Sequence, residues 1–312
     1  MAGINAQSIR ELRERTQAGM SDCKSALNEA EGDMDKAIAI ILKKGLAKSA
    51  KRAGAVASEG EVRASVSADK RAATIVEVNI QTDFAARNDA FRGFVGEVLA
   101  LAEKAPLGAD LATQDMGGKT VTDAATELTA KIGEKIAVRR WDRLEIGQGK
   151  HGVAHAYVHM GGKIGVILAV EIESAEAATH AEITKFVDDT AMHIAAMNPL
   201  VLARGEVTEE MVAKQKDIYT GQMREDPKPK PEAAWPKIIE GKLNKWYSEI
   251  ALLEQESVVV PKQTIEALRA EAAKAVGGAV TIVRFVRYER GEGIDKGTKD
   301  DFASEVAKMA SS

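Results

Sequence analysis

Strand and helix signals meet most clearly in residues 73–102, which read ATIVEVNIQTDFAARNDAFRGFVGEVLALA. Apolar and β-branched side chains dominate its first part, which predicts a β-strand over residues 73–80. The polar run Gln81-Thr82-Asp83-Phe84 then interrupts the pattern. A helix is predicted after it from one apolar stripe, made of Phe91, Phe94, Val95, Val98, Leu99 and Ala102. The segment therefore predicts a strand, a polar turn and an amphipathic helix, in that order.

The same kinds of signal occur upstream and again downstream. Residues 62–66 alternate apolar and polar side chains, so that with a turn near residues 68–70 they complete a hairpin. Residues 153–160 and 164–172 predict a second hairpin. The helix predicted after it has apolar positions at Ile183, Phe186, Val187, Ala191, Ile194 and Ala195. A hairpin followed by a helix, twice, predicts two related α+β subdomains that form one core.

Three short helices are predicted ahead of this core. Their candidate N-caps are Ser8 in a capping box with Glu11, then Ser21 or Asp22, and then Asp33. The glycines expected to end them are Gly19, Gly32 and Gly45. Residues 46–58 are rich in Ala, Lys, Ser and Gly and have no apolar period. They are predicted to be a linker.

An insertion is predicted before the last strand. Residues 209–223 form a helical segment, and residues 226–231 cannot continue it because their three prolines remove donors and clash with the preceding turn. A heptad seam follows, at Ile239, Leu243, Trp246, Ile250 and Leu253. The simplest structure is an antiparallel helical hairpin with the prolines at its tip. The chain then returns through a helix at 265–275, a strand at 280–288 and a helix at 301–309.

These signals predict an α+β protein built from several units. The predicted units are a three-helix domain at residues 1–45, a linker at 46–58, a core N-subdomain at 59–145, a core C-subdomain at 146–205 and 256–290, a coiled-coil insertion at 206–255 and a C-terminal module at 291–312.

Composition excludes several classes of protein. The formal net charge of the 312 residues is −4, which argues against a protein built mainly to bind nucleic acid. No stretch approaches the ~20 apolar residues that cross a bilayer, and no signal peptide is evident. The single cysteine, Cys23, lies on an apolar helical face and fits a small buried residue in a reducing compartment. A soluble, cytoplasmic protein is expected.

No motif indicates an enzyme, a cofactor or a metal. Gly117-Gly118-Lys119-Thr120 matches the end of a phosphate-binding loop, but Thr113 stands where that loop needs its first glycine. His151, His155 and His159 recur every four residues, yet the alternating valines around them favour a strand over a zinc-binding helix. The acidic residues form no pair suited to acid–base chemistry. We expect neither a catalytic residue nor direct nucleotide binding.

A basic run, made of Lys43, Lys44, Lys48, Lys51 and Arg52, leaves RNA contact open as an alternative. No aromatic side chains interleave with these charges, as stacking on bases would require. A solvated helix end, where cations complement the helix dipole, is the favoured interpretation.

Two stretches resemble signatures of the elongation factor Ts family. They are ELRERTQAGMSDCKSAL at residues 11–27 and EVNIQTDF at residues 77–84. Supporting matches occur in the family's order at Gly32-Asp33, Lys131-Ile132-Gly133-Glu134, His159 ahead of Ile164-Gly165-Val166, and Gly291-Glu292-Gly293-Ile294. The resemblance runs from residue 8 to about residue 305, which is essentially the whole chain.

The resemblance implies an architecture and an activity. Its architecture is a ubiquitin-associated-like three-helix domain, a two-part α+β core, a coiled-coil insertion and a C-terminal module. Its activity is guanine-nucleotide exchange on elongation factor Tu, bound both with GDP and without nucleotide. The loop implied to dislodge magnesium from that partner is Thr82, Asp83, Phe84 and Ala85. Further implied contact residues are Arg13, Met20, Lys24, Ile132, Gly133 and His159.

Some residues depart from the family pattern, and alternatives remain. Gln17 stands where the family commonly has glycine, Ser21 where it has methionine, and Ala85 where it has valine. Without the family, Phe84 would be expected to pack inward against the following helix. A helical adaptor that binds peptides through residues 1–50 and an RNA-binding translation factor are the competing functions. A homodimer, or a two-to-two complex through the core or coiled coil, is left open.

Overall fold

A computed structural model describes residues 5–16, 18, 20–52, 54–226 and 230–295 of this protein. It confirms the predicted α+β class, with two small antiparallel sheets and an N-terminal helical part. The final helix predicted at residues 301–309 lies outside the described residues. Within them, no helix combines the length and apolarity that a membrane crossing requires.

Three helices form the N-terminal part: α1 (Ala6–Thr16), α2 (Met20–Glu29) and α3 (Met34–Arg52). Asn5, not Ser8, is the N-cap of α1, because the Ser8 N–H donates to Asn5 Oδ1 (2.8 Å) and the Asn5 N–H to Ser8 Oγ (3.0 Å). The N-caps predicted for α2 are also wrong, since Ser21 and Asp22 are already helical. Asp33 is confirmed, with its Oδ1 accepting from the Lys36 N–H at 3.0 Å.

The sequence predicted that the third helix ends at Gly45, and this prediction is wrong. The helix continues to Arg52, so residues 46–52 of the predicted linker are helical. Gly45 instead allows a close helix crossing, because a Cβ atom there would lie 2.7 Å from Cβ of Ala130 in α5 (Val121–Ile132). The glycine therefore serves packing between the N-terminal part and the core.

Each half of the core is a three-stranded sheet covered by helices. The first half contains β1 (Glu59–Val66), β2 (Ala72–Ile80), α4 (Asp89–Ala102), α5 and β3 (Ala137–Glu145). The second contains β4 (His151–His159), β5 (Ile164–Ile172), α6 (Ala175–Ala178), α7 (Ala181–Met197), α10 (Ile265–Val276) and β6 (Val280–Glu289). The strand orders are β1-β2-β3 and β4-β5-β6. The predicted hairpins and apolar helix stripes are confirmed, whereas α5 and β3 were not predicted.

The sheets pack face to face and the helices lie outside them. Buried side chains from both sheets, among them Ile75, Leu144, Ile167 and Tyr288, form the layer between the sheets. Separate apolar layers join the first sheet to α4 and α5, and the second to α7 and α10. The core is thus four layers deep, with one helical layer on each outer face.

The hairpins of the two halves, and the long helices that follow them, repeat with a constant spacing. The starts of β1 and β4, at positions 59 and 151, are 92 residues apart, as are those of β2 and β5 (72 and 164) and of α4 and α7 (89 and 181). A register shift in the ladder falls after Glu77 in β2 and after Ala169 in β5, again 92 residues apart. The predicted recurrence of hairpin and helix therefore extends to individual backbone irregularities.

Backbone hydrogen bonds also connect the hairpin turn of each half to the first strand of the other half. The Ala154 N–H in β4 donates to the carbonyl of Lys70 in the β1–β2 turn at 2.7 Å. The Val62 N–H in β1 donates to the carbonyl of Gly162 in the β4–β5 turn at 2.8 Å. Because these positions are also 92 residues apart, the two contacts are equivalent and relate the halves by an approximate two-fold axis.

The insertion is a helical hairpin of α8 (Glu209–Arg224) and α9 (Trp235–Ile250), which pack on each other. The heptad positions of the predicted seam lie on α9, except Leu253, which follows the end of the helix. Met223 on α8 and Leu243 on α9 are buried. Residues 227–229 of the predicted proline tip lie outside the described residues.

A buried carboxylate ties the first sheet to the end of the described chain. Glu77 on β2 has no accessible surface and accepts hydrogen bonds from Arg139 (3.0 Å), Arg140 (2.6 Å), Asn79 (3.0 Å) and the Gly291 N–H (2.7 Å). Burial by itself would raise the pKa of Glu77. The Gly291 N–H, Asn79 and Arg140 outweigh it and hold the pKa below its ordinary value of 4.5.

Replacing Glu77 with glutamine is expected to lower the free energy of unfolding at pH 7 by about 3 kcal/mol, since it removes the anion that two guanidinium groups surround. Because folding lowers the pKa of Glu77, its contribution is complete above about pH 4.5 and is lost as the pH falls through the lower folded value. The difference between the proteins in urea unfolding should therefore shrink below pH 4.5.

Glu145→Gln is the control, because that exposed carboxylate of the neighbouring strand is paired with a single arginine, Arg143, at 2.7 Å. Its effect should stay within about 0.5 kcal/mol. Equal effects of the two substitutions at neutral pH would contradict the role given to Glu77.

Candidate protein-binding loop

The loop made of Thr82, Asp83, Phe84 and Ala85 leaves the end of β2 and leads into a 3-10 turn, Ala85–Arg87. Thr82 Oγ1 accepts a hydrogen bond from the Ala85 N–H at 3.1 Å, which closes the turn. Ala85 is buried and belongs to the apolar layer beneath α4 and α5. One side of the loop is therefore fixed to the core.

Glu134 fixes the other side of the loop. The Thr82 N–H donates to Glu134 Oε2 at 2.9 Å, and the Thr82 hydroxyl donates to Oε1 at 2.8 Å. The adjacent Gln81 accepts from the Lys135 N–H at 2.9 Å. Sequence reasoning gave Glu134 no role, since nothing in a single sequence pairs residues 52 positions apart. These contacts hold the loop in one backbone conformation.

Phe84 projects from this rigid turn into solvent. Its side chain is 85% exposed, so the alternative that it packs inward against α4 is wrong. Burial of an aromatic side chain is worth several kcal/mol, and the fold gives this one no burial. The neighbouring pair of Asp83 and Arg87 is also exposed, with 3.4 Å between Oδ2 and Nη2, and contributes little to stability.

The second half of the core contains an equivalent turn, which shows which residues the backbone conformation requires. At the positions 92 residues later, Ser174 Oγ accepts from the Ala177 N–H at 3.2 Å, just as Thr82 accepts from Ala85. Glu173 accepts from the Ala279 N–H at 2.8 Å, as Gln81 does from Lys135. The residue equivalent to Phe84 is Glu176. The backbone turn therefore forms without an aromatic residue at its tip, and the exposed phenylalanine is available for contact with another molecule.

Two of the remaining candidate residues lie beside this loop. Ile132 ends α5, and Gly133 is its left-handed C-cap, with φ 88° and its N–H donating to the Thr129 carbonyl at 2.8 Å. This cap turns the chain so that Glu134 reaches Thr82. The structure therefore brings Ile132 and Gly133 together with the loop.

The other candidates are exposed elsewhere. His159 ends β4 and forms a 2.8 Å hydrogen bond with the Tyr157 hydroxyl. Arg13 and Lys24 are exposed on α1 and α2, and Met20 is 56% exposed, so it is not part of the helical core. Among the hydrogen bonds and ion pairs of the described residues, none joins these four to the loop. Gln17 and Gly19 lie outside the described residues.

The glycine–lysine motif and the histidine series, for which the sequence favoured no binding site, have structural roles. Thr120 forms a capping box with Asp123 at the start of α5, and Lys119 pairs with Glu127, so the glycine–lysine segment is a helix entry. The histidines lie on β4, as predicted. In the part of the chain that the structure describes, no group of three or more His, Cys, Asp or Glu side chains could hold a metal ion.

Comparison with known proteins assigns the chain to a family. The sequence model of the family described as elongation factor TS matches residues 81–292. Elongation factor Ts of Clostridium perfringens is 44% identical over 309 residues, which cover 98% of this chain and 99% of the relative. That of a Nitratiruptor species is 45% identical over 306 residues, covering 97% of this chain and 98% of the relative. With this similarity along nearly its whole length, the chain belongs to the elongation factor Ts family.

Proposed function

We propose that this protein is a guanine-nucleotide exchange factor for elongation factor Tu, active in translation elongation. It binds the GDP-bound GTPase, disturbs the magnesium and phosphate site, and remains on the nucleotide-free form until a nucleotide replaces it. The proposal depends most on Phe84, an exposed aromatic residue on a backbone turn that both Thr82 and Glu134 hold in place.

The loop acts by insertion and needs no bond-making step. A rigid phenylalanine loses little conformational freedom when it enters an apolar cleft, so most of its burial energy is available for binding. Asp83 adds a negative charge beside it. Displacing Mg²⁺ removes the main counter-charge of the GDP phosphates, so a small displacement at that site has a large effect on nucleotide affinity. The protein is therefore proposed to be a binding protein and not an enzyme.

The required coupling is within reach of such an interface. Exchange factor and GDP must weaken each other's binding by the same factor, because coupling is reciprocal. A 10⁴-fold weakening corresponds to about 5.5 kcal/mol. An interface of ordinary size with a few aromatic or arginine anchors can supply this amount.

We extend the proposed partner surface to the other candidates, which are the exposed residues Arg13, Met20, Lys24 and His159 and the half-buried residues Ile132 and Gly133 beside the loop. We also retain as proposals the units at residues 59–145, 146–205 with 256–290, 206–255 and 291–312, and a place of action in the cytoplasm. The first unit, predicted at residues 1–45, is proposed to include the rest of α3 up to Arg52. The RNA-binding alternative has less support, since the formal net charge is −4 and no aromatic side chains interleave with the basic run.

Replacing Phe84 with alanine is expected to slow release of a fluorescent GDP analogue from elongation factor Tu at least about tenfold, as loss of an aromatic anchor does. Stability should change by less than about 0.5 kcal/mol, because the side chain is exposed. Stopped-flow fluorescence with substoichiometric factor measures the first effect and thermal unfolding the second.

Leu107→Ala is the matched control, since Leu107 is an exposed apolar residue (56%) away from the loop. It should leave release unchanged. Near-normal exchange by the Phe84→Ala protein would disprove the wedge mechanism, while loss of exchange by both variants would indicate a nonspecific apolar effect.

Replacing Glu134 with alanine is expected to slow exchange several-fold although Phe84 is retained, because Thr82 loses both of its carboxylate contacts. Amide hydrogen exchange at Thr82 and Ala85 should become faster as the loop loosens. Glu127→Ala, which removes an exposed carboxylate of α5, is the control. A loop that loosens with no change in GDP release would show that its rigidity is not needed.

A further inference from the structure

A cavity of about 550 Å³ lies in the second half of the core, away from the loop. The β1–β2 turn, β4 and the helices α6 and α7 surround it. Its walls are largely apolar and include Val66, Val153, Ile183 and Val187. Its size is typical of sites that bind small molecules or single side chains of a partner.

The equivalent place in the first half of the core is filled by an arginine of the chain itself. Arg63 on β1 donates from Nη1 to the Arg92 carbonyl on α4 (3.0 Å) and from Nε to Glu61 (2.7 Å). A Cβ atom at Gly96 would lie 3.0 Å from Nη1 of Arg63, so the glycine makes room for the guanidinium. Phe91, which precedes Arg92 on α4, is fully buried in the apolar layer of that half.

The residues 92 positions later leave this place open. His155 stands for Arg63, Asp188 for Gly96, and Ile183 for Phe91. His155 is shorter than arginine and is held by Asp188, with 3.1 Å between Nε2 and Oδ1. All three residues line the cavity. Asp188 is larger than Gly96, but histidine and isoleucine are smaller than the arginine and phenylalanine of the other half, and the cavity lies where those two larger side chains would reach.

The cavity also contains hydrogen-bond acceptors that a guanidinium group could use. Burial lowers the pKa of His155 below its ordinary value; Asp188 opposes this shift and Lys70 adds to it. The imidazole is therefore neutral at pH 7, and the negative charge of Asp188 is not compensated by its partner. The Thr184 carbonyl on α7 takes the place of the Arg92 carbonyl.

Two cations and a second carboxylate also line the cavity. Arg71 donates to the carbonyls of Ile146 (3.1 Å), Gly147 (3.0 Å) and Lys150 (3.0 Å), so its guanidinium is engaged. Lys70 is exposed on the turn and can extend into solvent. Asp69, on the same turn, adds a carboxylate. Asp188 is therefore the carboxylate in direct contact with His155, and it supplies the negative charge at that end of the cavity.

We propose that this cavity binds a guanidinium group, carried either by a small molecule or by an arginine side chain of another protein. The group occupies the place that Arg63 fills in the first half of the core. It donates to Asp188 and to the Thr184 carbonyl, and its aliphatic part packs on Val153, Ile183 and Val187. This site is separate from the contact residues proposed for nucleotide exchange.

The test is an NMR titration of the full-length protein, labelled at its Ile and Val methyl groups, with ethylguanidinium. The methyl signals of Val153, Ile183 and Val187 should shift and saturate, and ethylammonium should bind several-fold more weakly because it lacks the planar fork of donors. Asp188→Asn should weaken binding of ethylguanidinium about five- to tenfold. Glu182→Gln, which removes a carboxylate of the same helix outside the cavity, should leave it unchanged.

A double variant, His155→Arg with Asp188→Gly, copies the first half of the core into the second. It is expected to fold, with its own arginine in the cavity, and to lose binding of ethylguanidinium. The peptide Gly-Gly-Arg-Gly-Gly separates the two sources: binding as tight as ethylguanidinium indicates an arginine side chain, and binding of ethylguanidinium alone indicates a small molecule.

Three results would overturn the proposal. They are shifts that do not saturate with either probe, equal binding of ethylammonium, and undiminished binding by the folded double variant. GDP release from elongation factor Tu should be normal in the Asp188→Asn protein, so this test is independent of the exchange function.

Discussion

The buried carboxylate of Glu77 is the constraint on which much of the architecture depends. A charge without accessible surface is tolerated only if it is surrounded by donors, and here Arg139, Arg140, Asn79 and the Gly291 N–H supply them. These donors come from the first sheet and from the segment after the last strand of the second. The native position of Glu77 therefore requires all of these segments to be in place, and β2, which carries Glu77, is fixed on the strand that leads into the exposed loop.

The core uses one arrangement of hairpin, helices and third strand twice, and the two copies have diverged at particular side chains. Turn, cap and bulge positions coincide after a shift of 92 residues, which shows that the backbone tolerates either set of side chains. At one pair of positions the first copy has an exposed phenylalanine and the second a glutamate. At another pair the first copy has a space-filling arginine and the second a histidine. Each difference marks a surface or cavity that the fold itself does not require.

Rigidity links the proposed function to this architecture. Thr82 is held by Glu134 and by its own turn, and Ala85 is buried in the core. An exposed aromatic residue on a mobile loop would lose conformational entropy on binding, whereas Phe84 has already been placed by folding. The C-cap at Gly133 also contributes to this rigidity, since it positions Glu134 for its hydrogen bonds to Thr82.

Local patterns in the sequence determined the hairpins, the amphipathic helices, the helical insertion and the polar loop that ends at Phe84. Alternation and helical spacing report which face of an element is apolar, and that information lies within a few residues. Contacts between distant positions decided the rest: the anchoring of Thr82 by Glu134, the continuation of α3 past Gly45, and the exposure of Phe84. A short sequence window cannot specify these features, because they depend on which surfaces meet after the chain has packed.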